Sequence, residues 1–270
     1  MTGRILTLDL GNSTLAVGVF ESDRLVKHLR LPSDASAQQL IRRVGKSFST
    51  VALSSVVPER TAPLFTALET AVGLRPLLLS AAANHGLKIG YRRPAQLGTD
   101  RIAAALGARK LYPSQNLVII DCGTATTLSF LTRESELLGG AILPGLALWP
   151  AALAHATAKL PSVKLPRAQG SLPPLVAKDT VSAIRAGALY GHAGAIRELA
   201  ARGAHDAFGA HAAALALDAP RRGPAQTRQS VTVIGTGGQA PHFAAQSCFT
   251  VTEPALTLHG LQAYAAAQHA

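Results

Sequence analysis

The sequence predicts an α/β protein made of two related halves, each a mixed β-sheet flanked by helices. Three observations carry this reading. Residues 118–128 run from β-branched apolar residues through Asp121 and Gly123 to small and hydroxyl residues and back to apolar ones. That order reads as a buried strand, a tight turn and a returning strand. Residues 5–17 repeat it, with Asp9, Gly11 and Thr14 lying 112 positions ahead of Asp121, Gly123 and Thr126. Strand and helix patterns alternate between the two copies, as they do where helices pack on a sheet. One D-x-G-x-x-T recurs by chance, but two copies in one register suggest a duplicated phosphate-and-metal turn.

The elements follow in order. Residues 15–20 and 25–31 read as the second and third strands, joined across Glu21-Ser22-Asp23. Leu40, Ile41 and Val44 stand at helical spacing within 36–47, with Arg42, Arg43 and Lys46 on the other side. Residues 51–57 form a short strand ended by Pro58, 59–72 a helix and 76–79 another short strand. Residues 84–97 lose periodicity and contain Gly86, Gly90, Tyr91 and Pro94, which reads as a surface loop suited to a substrate lip. Tyr91 either packs against the body or offers its hydroxyl to a ligand.

Gly98-Thr99-Asp100-Arg101 then opens a helix over 102–111. Thr99 is the expected N-cap, and Asp100 falls in the first turn, where the helix dipole should keep it ionised. An aspartate there serves helix stability alone in many proteins. Here the same position also puts a carboxylate and a guanidinium beside the loop.

Further on, 139–146 ends a strand and opens a helix over 146–158, and the proline-rich 160–174 is a loop. Lys178-Asp179-Thr180 starts a long helix through Ala201, Thr180 being either a helix-start hydroxyl or a ligand contact. Residues 204–228 are rich in Ala, Gly, His, Pro and Arg, and their second half reads as an exposed loop. His205 and His211 in this context are surface residues rather than metal ligands. Residues 231–238 are a strand entering a glycine turn, with a helix from Gln239, a strand at 250–251 and a terminal helix over 255–267. The duplication divides the chain into 1–112 and 113–270.

Composition narrows the classes. Hydrophobic residues are 48% but aromatics only 4%, so the core is aliphatic. No run is long enough to span a bilayer, and the N-terminus is a strand pattern without a signal-peptide layout, so a soluble cytoplasmic protein with no membrane partner is expected. Cys122 and Cys248 lie far apart and indicate neither a zinc site nor a disulfide scaffold. The formal charge of +11 comes from scattered Lys and Arg without interleaved aromatics, which argues against a specific nucleic-acid groove.

Two D-x-G turns and no G-x-x-x-x-G-K-[ST] imply nucleotide handling without a P-loop. Asp9 and Asp121 suit cations, while turn amides and the hydroxyls of Ser13, Thr14 and Thr124 suit phosphate oxygens. Asp100 is then the spare carboxylate, free to accept a proton from an alcohol.

Several ordered motifs carry a resemblance. Asp9-Leu10-Gly11-Asn12-Ser13, Ser55-Val56-Val57-Pro58, Gly98-Thr99-Asp100-Arg101 and Asp121-Cys122-Gly123-Thr124-Ala125-Thr126-Thr127 are joined by four more: residues 139–145, Thr157-Ala158-Lys159-Leu160-Pro161, Lys178-Asp179-Thr180 and Thr236-Gly237-Gly238. Together they resemble type III pantothenate kinases of the acetate-kinase/Hsp70/actin superfamily, which implies a duplicated ribonuclease-H-like, actin-like fold. The resemblance implies ATP-dependent phosphorylation of pantothenate to 4′-phosphopantothenate, the first step towards coenzyme A. It assigns ATP to Asp9, Leu10, Gly11, Asn12, Ser13, Thr14, Leu15, Ala16 and Thr124. Pantothenate falls to Tyr91, Gly98, Thr99, Asp100, Arg101 and Thr180, with Asp100 as proton acceptor. Asp121 takes a monovalent cation, K⁺ or NH₄⁺, besides the Mg²⁺ that accompanies ATP, and a homodimer is implied. One departure is His155-Ala156 before Thr157, where relatives often carry a larger or charged residue. The alternative is a non-catalytic nucleotide-binding regulator of the same fold, which loss of Asp100 or Asp121 would have favoured.

Overall fold

A computed structural model describes residues 3–168, 172–209 and 231–268, which group into two compact units. The first comprises the described residues of Met1–Pro113, Ser135–Leu137 and Ala255–Ala270, the second Ser114–Glu134 and Leu138–Pro254.

In the first unit β1 (Arg4–Leu10) lies between β2 (Thr14–Glu21) and β4 (Thr50–Ser55), with β3 (Arg24–Pro32) and β5 (Leu77–Leu78) outside them, in the order β3-β2-β1-β4-β5. Strands β1–β3 form an antiparallel meander, whereas β4 runs parallel to β1 and β5 parallel to β4. Period-2 alternation sorts the side chains. Leu6, Leu8, Leu10, Leu15, Val17 and Leu53 face one way and pack against α1 (Ala37–Val44) and α2 (Pro58–Val72). Ser36 starts α1 with a complete capping box through Gln39. Ile5, Ala16 and Phe20 face the other way, where α7 (Leu256–Ala267) places Leu258. His259 meets the Phe20 ring edge-on at 5.2 Å.

Helix α7 also packs on α3 (Thr99–Leu111), a pairing that depends on small residues. A Cβ on Gly107 would overlap the Leu256 carbonyl, and one on Gly260 the Ala103 carbonyl. Two interior glycines cost about 1 kcal/mol each in helix propensity. Close backbone packing is what offsets that. Lys110 strengthens the same corner, bonding Asp23 at 2.6 Å and the Gln262 side chain, while Gln262 Nε2 donates to the Ser22 carbonyl at 3.1 Å.

The second unit repeats the topology. Strands β7 (Leu117–Cys122), β8 (Ala125–Leu131), β9 (Glu136–Pro144), β10 (Thr232–Thr236) and β11 (Val251–Thr252) order as β11-β10-β7-β8-β9. Reading these five strands from β7 gives the same sequence of neighbours as reading the first sheet from β1, with β7–β8 antiparallel and β7–β10 and β10–β11 parallel. This is the duplicated fold that the repeated turn predicts. Val118, Ile120, Leu128 and Val233 pack with Leu189, Ala193, Ile196 and Ala204 of α5 (Thr180–Phe208). Helices α4 (Leu148–Ala156) and α6 (Pro241–Ala244) complete the described elements.

Several local expectations shift. The 84–97 loop contains β6 (Lys88–Ile89) and a 3-10 turn at Pro94–Gln96. Helix α5 runs past Ala201 to Phe208 because Ala204, Ala207 and Phe208 still pack on the core, and it stops at Gly209 with φ +94°. Only one turn forms after Gln239. Residues 210–228, with His211, lie outside the described residues; His205 is exposed beside Asp206.

The α3–α7 contact yields a contrast. Gly260→Val should lower stability by about 1–3 kcal/mol or more through overpacking. Gly194→Ala on α5, where an added Cβ meets nothing within 4 Å, should raise it by about 0.5–1 kcal/mol. Urea unfolding midpoints of the two variants check this.

Candidate active site

The first turn stands at the end of the central strand. Gly11 N–H donates to the Thr14 carbonyl at 2.9 Å, and Leu10 pairs with Leu15 across the hairpin. Leu10 and Leu15 are core residues, so what they offer a ligand is backbone, whereas Asn12, Ser13 and Thr14 are exposed at the tip. Strand β3 is tied to this tip: Ser33 donates its amide to the Ser13 carbonyl at 3.2 Å and its hydroxyl to the Asn12 carbonyl at 3.0 Å.

Asp9 faces the α7 side of the sheet. One carboxylate oxygen, Oδ1, is buried with no hydrogen-bond partner. The carboxylate accepts from Thr257 and Ser54, yet its pKa is pushed from 3.8 up to about 6, first by burial and then by the charge of Asp100. Arg30 opposes that rise electrostatically. A desolvated carboxylate with an orphaned oxygen, next to a second carboxylate, is a site that a cation would relieve. Among the described residues no group of three or more His, Cys, Asp or Glu could hold a metal alone. The donor set therefore fits a cation that brings further oxygens with its ligand.

Asp100 corrects two expectations. Thr99 is not the N-cap: it is the first helical residue, Gly98 occupies the cap, and no side chain caps this end. The Thr99 hydroxyl instead donates to the Ser55 carbonyl at 2.9 Å, accepts from Ser55 N–H at 3.1 Å and lies 3.0 Å from Ser54 Oγ. The cap is spent on pinning the helix start to the end of β4. The Asp100 pKa is raised, not held down, because burial outweighs the Arg101 amide bond at 2.7 Å and the Arg101 charge. Arg101 is itself buried at 6% exposure; it donates to the Tyr91 hydroxyl and lies 5.4 Å from the Tyr91 ring centre. Tyr91 thus packs and bonds at once, and the loop, the helix start and the strand end become one assembly.

In the second unit Gly123 N–H donates to the Ala125 carbonyl at 3.0 Å, with Cys122 paired to Thr126. This hairpin is one residue shorter than the first, so Thr126 is not the structural counterpart of Thr14. A one-residue change of register turns a side chain to the opposite face. Thr14 is exposed at the tip, whereas Thr126 is buried and lies 3.0 Å from His192 Nε2. Asp121 points away from the core face, opposite Thr127 and Thr236. Gly237, at φ +88°, passes so close that a Cβ would overlap Asp121 Oδ1 and crowd the Cys122 carbonyl. That cradle of a carboxylate and a carbonyl suits a cation. Thr124 is exposed on the turn, and its carbonyl accepts from Gly145 N–H at 3.2 Å. Thr180 is exposed at the start of α5, where Asp179 is the cap through Ser182 N–H at 2.9 Å.

Sequence reasoning missed Ser54, Thr257 and Arg30 around Asp9. The paired serines closing an apolar strand were a usable signal for Ser54. Thr257 had none, being brought to Asp9 only by α7.

The elevated Asp9 pKa has a consequence for stability. A carboxylate raised in the folded state stabilises the fold below its unfolded value of 3.8, and that contribution is lost as pH rises through about 6. Asp9→Asn should therefore raise the stability of the ligand-free protein at pH 8 by on the order of 2–3 kcal/mol. The gain should vanish near pH 3.5, and thermal melts at both pH values check it.

Comparison with known proteins identifies the family. A family model described as type III pantothenate kinase matches residues 5–202. A type III pantothenate kinase from Legionella pneumophila (strain Corby) is 35% identical over 269 residues, covering 96% of both chains. Another, from Bacillus cytotoxicus, is 33% identical over 270 residues, with 95% of this chain and 94% of the relative covered. A solved structure from Campylobacter jejuni, described as a Baf family transcriptional activator, shares the fold with a TM-score of 0.59 at 19% identity over 98% of each chain. With a family model matching most of its length and full-length relatives above 30% identity, the chain belongs to the type III pantothenate kinase family.

Proposed function

We propose that the chain transfers the γ-phosphoryl group of ATP to the terminal hydroxyl of pantothenate, with Asp100 as the group that accepts the hydroxyl proton. The observation that carries this is the placement of two desolvated carboxylates, Asp9 and Asp100, beside an exposed hairpin tip of amides and hydroxyls. As the acceptor oxygen bonds to phosphorus, the bond from phosphorus to the β-phosphate oxygen breaks and ADP leaves. Asp100 takes the proton, and its raised pKa makes it a better acceptor than an ordinary aspartate. Arg101 and Tyr91, held to each other, with Gly98 and Thr99, orient pantothenate. Thr180 gives it a hydroxyl from the start of α5.

Asp9, Gly11 and the tip residues Asn12, Ser13 and Thr14 hold the nucleotide phosphates, Leu10, Leu15 and Ala16 contribute backbone, and Thr124 contacts a phosphate. Asp9 would hold Mg²⁺, which supplies charge neutralisation at the phosphates when bound. Asp121, with the Cys122 carbonyl, would hold K⁺ or NH₄⁺. We further infer a homodimer in the cytoplasm. Ile142, Leu148, Leu153, Leu175, Val176 and Val181 of the second unit are exposed, and burial of such large apolar side chains against a second copy supports this reading. No helix among the described residues is long and apolar enough to cross a membrane.

Purified protein incubated with ATP, Mg²⁺, K⁺ and pantothenate should yield ADP and 4′-phosphopantothenate; absence of product at saturating substrates would sink the assignment. Asp100→Asn should lower turnover by about 10²–10⁴ with an unchanged circular dichroism spectrum, and near-normal turnover would remove Asp100 as the base. Replacing K⁺ by Na⁺ should slow the reaction, and equal rates in the two salts would count against a cation at Asp121.

A further inference from the structure

We propose that Arg30 is a phosphate-contacting residue, its guanidinium flanking the first turn and engaging the polyphosphate of the nucleotide. This rests on the reading of the Asp9 turn as the nucleotide phosphate site.

Register supplies the geometry. Asp9 pairs with Ala16, Ala16 pairs with Arg30, and Asp9 pairs on its other side with Ser54. Arg30, Ala16, Asp9 and Ser54 therefore form one row across four strands, and alternation puts their side chains on one face. The neighbouring residues fix which face. Leu29, Leu31, Leu15, Val17, Leu8, Leu10 and Leu53 pack with α1 and α2, so the row faces the other way, where Ala16 packs near Leu258 of α7. With strands about 4.8 Å apart, the backbones of Arg30 and Asp9 are separated by roughly 10 Å. An arginine side chain spans much of that distance. Strand β3 is held beside the turn by the two bonds from Ser33, three residues beyond Arg30. The opposing influence of Arg30 on the Asp9 carboxylate agrees with this placement.

A plainer role for a cation on β3 is protection of an edge strand. Arg24 and Lys27 fit that role: Arg24 lies 3.8 Å from Glu21, and Lys27 donates to the Arg43 carbonyl. Arg30 differs because it shares the row of the turn's carboxylate. Electrostatics supplies the reason for it. A polyanionic ligand seated near Asp9 and Asp100 meets two carboxylates, and one metal does not neutralise the whole set. Arg101 is directed to Tyr91 and buried. A guanidinium on the exposed edge answers the remaining charge, and its planar fork suits phosphate oxygens.

Ligand-observed NMR titrations of Mg²⁺–ATP, Mg²⁺–tripolyphosphate and adenosine test the proposal on wild type, Arg30→Gln, Arg30→Lys and Lys27→Gln. Arg30→Gln should weaken ATP and tripolyphosphate together by about tenfold to a hundredfold, leave adenosine unchanged and melt at the wild-type temperature. Arg30→Lys, which keeps the charge without the fork, should fall between, and Lys27→Gln should bind as wild type does. Undiminished tripolyphosphate binding by Arg30→Gln overturns the proposal. So does an equal loss in Lys27→Gln, which would reduce the effect to general surface charge, or a parallel loss of adenosine. If wild type binds neither ATP nor tripolyphosphate, the phosphate reading of the turn falls and Arg30 with it.

Discussion

A carboxylate at the end of the central strand of a sheet is expensive to bury, and the first unit is arranged around one. Asp9 cannot join the leucines on one face of β1, because its position in the alternation turns it to the other. There it meets Ser54 from the parallel neighbour, Thr257 from α7 and the charge of Asp100 from the start of α3. Three segments remote in sequence converge on one acid, and each is fixed by something else. Backbone pairing sets Ser54, close helix packing sets α7, and the Thr99 hydroxyl ties α3 to β4. The strain of an unsatisfied oxygen persists because those other contacts over-determine the geometry. Functional sites commonly hold charge in this state, ready for a ligand that completes it.

The same unit shows why the G-x-D-R segment reads as it does. A helix usually spends a hydroxyl on capping its own amides. Here the hydroxyl after Gly98 crosses to β4 and the cap is left without a side chain, which exchanges some helix stability for a fixed position of Asp100. The Arg101 guanidinium donates to the Tyr91 hydroxyl, while the Arg101 charge and backbone amide both act on Asp100. Asp100 nevertheless stays desolvated enough to have an elevated pKa.

The two hairpins are related in topology and unequal in detail. One residue fewer in the second sends Thr126 into the core, where it meets His192, a ring itself flanked by Trp149 and Phe243. The first keeps its threonine at the tip. A shared motif thus ends in two different environments, because register converts a single insertion into a change of face.

The sequence by itself determined the class of fold, the duplication and nearly every strand, and it singled out Asp9, Asp100 and Asp121 as candidate site carboxylates. Period-2 and period-3.6 patterns are local, and a polar residue breaking an apolar strand announces itself within a few positions. Tertiary structure alone decided that Ser54, Thr257 and Arg30 stand around Asp9, that Thr99 serves β4 rather than its own helix, and that burial outweighs the amide bonds and the Arg101 charge at Asp100. Those outcomes depend on pairing register, on the approach of α3 and α7 through Gly107 and Gly260, and on desolvation. All three are properties of groups distant along the chain, and a linear pattern does not carry them.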